Sequence, residues 1–159
     1  MEKKIISTSF SFCHYEELPT EYRQLIDNAK QQTKKSYSPY SGFSVGAAVL
    51  LENGEVFSGS NQENAAYPSG LCAERTTLFY ANAQRPKIPV KALAIAAFTK
   101  GAFLNEPIAP CGACRQVLLE TENRFAKPIQ ILLYGEEGVF IIDSVKDLLP
   151  LSFTKESMA

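Results

Sequence analysis

Charge of one dominant sign is the first thing this sequence lacks: sixteen Lys and Arg stand against seventeen Asp and Glu, for a formal net charge of -1. Without a basic excess, nucleic acid is not an expected partner. No apolar run approaches the roughly 18 residues a membrane-spanning helix needs, so no membrane partner is expected either. Lys3 and Lys4 open the chain, but Ser and Thr interrupt the apolar residues up to His14, so no secretory leader is expected there. Repeats, low-complexity tracts and linkers are missing. Histidine occurs once, as His14, which limits any mechanism that wants imidazole as base. Cysteine occurs four times. Three of the four fall in tight local patterns that suit thiolate ligands in a reducing compartment better than disulfides, so a cytoplasmic location is expected.

At 159 residues, 45% apolar and 21% charged, the chain is long enough to bury a core without staples. A single domain over 1–159 is expected, with 1–15 as an extension that is flexible or unexplained. Leu18, Tyr22, Leu25, Ile26 and Ala29 recur three and four apart and predict a helix from Glu16 to about Lys35. Asn53-Gly54 between the apolar runs Val45 to Leu51 and Glu55 to Ser60 predicts a hairpin. Helices are predicted from Cys72 to Ala83 and from Cys111 to Glu122, strands at Val90 to Phe98, Ile129 to Leu133 and Val139 to Ile142, and a short helix near Val145 to Leu149. Thr99 to Pro110 is the longest irregular stretch. This alternation predicts an α/β fold, a three-layer α/β/α sandwich around a mixed sheet of about five strands.

Cys111 and Cys114, two residues apart behind Pro110, form a zinc half-site if they open a helix, where free N–H groups and the helix dipole favour thiolates. Cys72 at the start of another helix would be a third ligand. Alone, a Cys-x-x-Cys pair is more often a structural zinc or a redox couple than a catalytic site. Three protein ligands leave one tetrahedral position for water, the mark of a catalytic zinc. The ion lowers the pKa of that water from about 9 to roughly 7. Thiolates blunt the effect, and Arg75, with Arg115 as a second candidate, would offset their charge by hydrogen bonding to sulfur. Glu74, two residues after Cys72, would reach such a water without binding the metal. Cys13 lacks ligand spacing and reads as a free thiol; as a fourth ligand it would make the site structural.

The segments Tyr40 to Ala48, Asn61-Gln62-Glu63-Asn64-Ala65, Cys72-Ala73-Glu74-Arg75, Pro110-Cys111-Gly112-Ala113-Cys114-Arg115-Gln116 and Leu148 to Phe153 resemble the small homotetrameric cytidine deaminases in order and spacing. In zinc deaminases the pattern is a His or Cys, one residue, Glu, then Pro-Cys-x-x-Cys, with the Glu as general acid and base. The resemblance implies one zinc per chain held by Cys72, Cys111 and Cys114, with Glu74 moving protons during hydrolysis of cytidine and deoxycytidine in pyrimidine salvage. It also implies that Asn61 and Glu63 hold the ribose hydroxyls, Phe43 packs on the pyrimidine and Ala73 gives backbone contacts to the base. A homotetramer is implied in which Tyr67 and Phe153 approach a neighbouring subunit's site. Gln62, where the family usually has Val or Ile, and the longer 99–109 connection depart from the pattern and bear on substrate range. The rivals are a deaminase of another cytosine nucleoside such as blasticidin S, and a binding module with a structural zinc that touches RNA.

Overall fold

Apolar residues run unbroken along the central strands, where successive side chains point to opposite faces, so that each face of the sheet receives its own helix layer. The computed structural model describes residues 1–159. Three helices, α1 (Thr20–Gln32), α2 (Ala73–Gln84) and α3 (Gly112–Phe125), accompany seven strands: β1 (Ser11–Cys13), β2 (Ser44–Leu51), β3 (Val56–Ser60), β4 (Val90–Thr99), β5 (Ala102–Phe103), β6 (Gln130–Gly135) and β7 (Gly138–Ile142). They form one mixed sheet in the order β1-β7-β6-β4-β2-β3, with β5 paired to β4 off that path. Only β4 and β6 run parallel. That pairing needs a crossover, and α3 supplies it.

On one face Val49, Leu51, Leu93, Ile95, Ile131 and Leu133 pack with Leu78 and Ala81 of α2 and Leu118 and Leu119 of α3. On the other, Ala48, Ala92, Ala94 and Ala96 meet Leu25, Ile26 and Ala29 of α1. The small side chains opposite α1 let it lie close to the sheet. At Gly46 a Cβ would stand 2.0 Å from the carbonyl oxygen of Ala29.

The predicted hairpin is present as β2 and β3. Of its two turn residues only Gly54 takes a positive φ (85°), while the Asn53 side chain accepts the Glu55 N–H. The first helix is shorter than predicted. Pro19 forces Leu18 into an extended conformation (φ -70°, ψ 148°), so Tyr15–Glu17 forms a separate 3₁₀ turn before α1. α3 runs past Glu122 and stops where Ala126 turns left-handed (φ 51°), a position where glycine is the usual signal.

The five expected strands are joined by two short ones. Lys100 (φ 52°) and Gly101 (φ 87°) form a two-residue turn that sends β5 back along β4. The end of the extension is likewise ordered: β1 pairs antiparallel with β7, and Phe10 and Phe12 pack on Phe140 with ring centroids 4.7 and 6.1 Å away. Its account as flexible or unexplained therefore applies at most to residues 1–10, which carry no regular secondary structure.

The close approach of α1 is testable by Gly46→Ala. Because the obstruction is backbone at 2.0 Å, this variant is expected to lose about 1–3 kcal/mol or more of stability in urea unfolding. An unchanged midpoint would contradict the packing described.

Candidate active site and metal centre

Cys72 is the N-cap of α2, Cys111 is the N-cap of α3, and Cys114 lies in the first turn of α3. Neither cap cysteine spends its sulfur on a capping hydrogen bond. The Sγ atoms of Cys72 and Cys111 lie 3.7 Å apart, those of Cys111 and Cys114 3.5 Å apart, and all three fall within 4.8 Å of one another. Four ligands around a zinc with Zn–S near 2.3 Å require S···S edges of about 3.8 Å. The three sulfurs therefore fit one face of that tetrahedron. No carboxylate, histidine or fourth cysteine joins the group.

Electrostatics favour a thiolate at Cys72. A hydrogen bond from Cys114, followed by one from the Arg75 guanidinium, draws Cys72 down to about 5 against its burial. Cys114 is pushed far up by the same sulfur contact and by burial, so the first negative charge settles on Cys72. Arg75 Nη2 stands 3.6 Å from Cys72 Sγ. Arg115 does not serve the sulfurs. Its Nε and Nη1 donate to the carbonyls of Pro110 and Leu148 at 2.8 and 2.7 Å, tying the start of α3 to the C-terminal segment.

Glu74 is 5% exposed, and burial raises its carboxyl above the ordinary range. It faces a cavity of about 440 Å³ together with Phe43, Asn61, Glu63, Ala73, Cys72 and Cys111. Ile108 and Ala109 form another part of the wall. A second hollow of about 520 Å³, edged by Tyr40, Gln62, Tyr67 and Arg75, shares Ser41, Asn61, Glu63 and Cys72 with the first.

The loop after β3 is held by main-chain bonds. Gln62 exchanges N–H···O bonds with Leu71, while Tyr37 N donates to Asn61 O and Glu63 N to Tyr37 O. Asn61 Oδ1 accepts from Val45 N at 2.8 Å and Ser36 Oγ at 2.5 Å, and its Nδ2 donates to Phe43 O at 2.9 Å. Glu63 accepts from the Tyr40 and Ser41 amides and from the Ser41 hydroxyl. The Ser41 hydroxyl, then the Tyr40 amide, hold its carboxyl below the usual range.

A family profile for the cytidine and deoxycytidylate deaminase zinc-binding region matches residues 19–127. The cytidine deaminase of Sporosarcina psychrophila is 40% identical over 136 residues, spanning 86% of this chain and 93% of the relative. That of Halalkalibacterium halodurans is 42% identical over 136 residues, spanning 86% and 96%. The crystal structure of cytidine deaminase from Burkholderia pseudomallei superposes with a TM-score of 0.70 at 43% identity, covering 83% of this chain and 98% of that one. The chain belongs to the cytidine deaminase family.

For a cytidine deaminase family member, the three-cysteine group is the zinc site. Sequence reasoning named its ligands, and the structure brings Glu74, Phe43, Asn61, Glu63 and Ala73 around the cavity beside it. Tyr67 borders the outer hollow and is 77% exposed. Phe153 lines neither hollow; its carbonyl accepts from Gln116 Nε2 at 2.9 Å, and the residue is 59% exposed. Gln62 directs its side-chain amide to Ser60 Oγ and Lys35 O rather than toward Asn61 or Glu63.

Two contributions were not read from the sequence. Ser41 anchors Glu63, and Ile108 with Ala109 walls the cavity. No local spacing announces either, since each depends on two loops meeting in space.

Metal content checks the ligand set. Purified protein should carry one zinc per chain, Cys111→Ala should lose most of it, and Cys13→Ser should keep it. Equal zinc in the Cys111 variant would remove that residue from the centre.

Proposed function

We propose that the chain hydrolyses cytidine and deoxycytidine to uridine and deoxyuridine with release of ammonia, as pyrimidine salvage requires. What carries this reading is a buried carboxyl, Glu74, set beside three convergent sulfurs and facing a cavity that also holds Asn61 and Glu63. Zinc held by Cys72, Cys111 and Cys114 supplies Lewis acidity that makes water a usable nucleophile near neutral pH.

The chain's own groups do the rest. Glu74 takes the proton of the attacking water and delivers it to N3 of the cytosine ring. C4 becomes tetrahedral, and Glu74 carries the second proton to the exocyclic amine, which leaves as ammonia. Its raised carboxyl suits a group that both accepts and donates. Arg75 offsets the charge of the sulfurs from 3.6 Å. Phe43 packs on the pyrimidine, and the main chain at Ala73 meets the base edge.

Sugar recognition follows from what Asn61 and Glu63 have left over. Both lone pairs of Asn61 Oδ1 are taken and one Nδ2 hydrogen is used, which leaves one donor. Glu63 accepts three bonds, and a carboxylate has about four acceptor sites. One donor beside one acceptor matches a single hydroxyl. Ribose and 2′-deoxyribose share their 3′ and 5′ hydroxyls, and the 3′ one is carried on the sugar ring itself, where Asn61 and Glu63 would meet it.

We further propose that residues 1–159 work as one domain with one zinc, in the cytoplasm, as a homotetramer. Cysteines gathered as metal ligands rather than paired in disulfides support the compartment. Exposed Tyr67, Phe79, Tyr80 and Phe153 support burial against other copies. Sedimentation at a mass of four chains is the expected result, and a monomer would refute the assembly.

Ultraviolet assays with cytidine, deoxycytidine and blasticidin S test the activity and rank the substrates. Cytidine and deoxycytidine should have kcat/KM within about tenfold of each other, whereas 3′-deoxycytidine should lose roughly ten- to a hundredfold. Glu74→Gln should retain zinc and lose about 10²- to 10⁴-fold in kcat. Turnover undiminished in that variant removes Glu74 from the role.

Acidification offers a separate check. Glu63 binds the sugar as a carboxylate, and its depressed pKa keeps that form available until the pH falls below the usual carboxylate range. Ser41→Ala removes the largest cause of the depression. The rise of KM as pH falls should then begin at higher pH than in the parent, and coincident profiles would contradict the contact.

A further inference from the structure

The connection between β4 and α3 ends in Ile108 and Ala109, which wall the cavity, and then in Cys111. Such a segment needs fixing, because it passes from a strand end to a metal ligand with only one two-residue strand of its own. Its first half is well tied. β5 occupies the side of β4 that β6 leaves, with Phe103 opposite Phe98 and their rings 5.2 Å apart. Leu104 N donates to Ala97 O, and the amides of Glu136 and Glu137 donate to the carbonyls of Leu104 and Asn105 at 2.9 and 3.1 Å. The Asn105 carbonyl lies so near Gly135 that a Cβ there would stand 2.4 Å away.

Phe103 also meets a cation and a second ring, that of Tyr134, whose centroid lies 5.8 Å away. Lys30 Nζ, in the last turn of α1, lies 5.1 Å from the Phe103 ring, 4.4 Å from Tyr134 and 5.7 Å from Tyr15, and donates to the Tyr134 hydroxyl at 3.1 Å. Tyr15 is fixed in turn by donating to Asp27 at 2.8 Å. No carboxylate pairs with Lys30, so three aromatic faces and one hydroxyl hold its charge. These groups come from four separate parts of the chain.

We propose that Lys30 is a positioning residue for the base-binding wall: by clamping Phe103 between α1 and β6, it sets the path of the connection and so the place of Ile108 and Ala109. The inference rests on the proposed deaminase reading for what the wall binds. The clamp itself can be read without it.

Lys30→Met keeps the aliphatic stem and removes the cation, Lys30→Arg restores a cation suited to aromatic faces, and Phe103→Leu removes the clamped ring. In Lys30→Met, KM for cytidine should rise about tenfold with kcat and zinc content unchanged. Amide exchange at Leu104, Glu136 and Glu137 should quicken. Lys30→Arg should restore most of both, and the double variant with Phe103→Leu should be no worse than the more damaged single. Faster exchange with unaltered KM would overturn the positioning role, as would a fall in unfolding midpoint and kcat with KM constant. Unaltered exchange would overturn the clamp. If the parent protein does not deaminate cytidine, the functional reading fails by itself, and the exchange comparison still decides whether Lys30 holds the connection.

Discussion

Everything in this molecule is arranged around bringing three sulfurs to one point. Thiolates repel one another and resist burial, so they can be gathered only where positive potential awaits them. Two helix N-termini provide it: α2 presents Cys72, and α3 presents Cys111 and Cys114. Arg75 adds a full charge against Cys72. The sheet has to hold those helix ends in register, and it does so by packing α2 and α3 on the same face through Leu78, Ala81, Leu118 and Leu119. The parallel β4–β6 pair that α3 bridges is what makes this geometry possible.

The opposite face serves precision more than chemistry. Alanines at 48, 92, 94 and 96 allow α1 to lie close on the sheet. That brings Lys30 within reach of Tyr134 and Phe103, so a helix remote from the sulfurs bears on the connection that reaches them. The 37–43 loop plays a similar part for Asn61 and Glu63. Its Ser41 and Tyr40 organise Glu63, while Ser36 and Val45 occupy Asn61.

Much of this was legible in the residues. Periodicity placed the three helices and five main strands, because apolar spacing records which face is buried. Cys72, Cys111 and Cys114 announced themselves because metal ligation needs particular atoms at short, fixed spacing, and Glu74 stood out by its place two residues after the first of them. The misses have a common origin. Helix α1 begins late because Pro19 acts on the residue before it, and the Ala126 stop uses no glycine. β5 depends on a Lys-Gly turn that is a weaker signal than Asn-Gly, and β1 is too short to show alternation. Arg115 was a candidate partner for sulfur, yet two carbonyls that only the fold brings near claim its guanidinium. Non-local contacts of this kind leave no trace in spacing.

The central claim is a metal centre of three sulfurs with its fourth position open to a small ligand. X-ray absorption at the zinc edge reads that sphere directly. The account predicts three sulfur scatterers at about 2.3 Å and a single oxygen or nitrogen scatterer at about 2.0 Å. Four sulfurs, or only two, would contradict it.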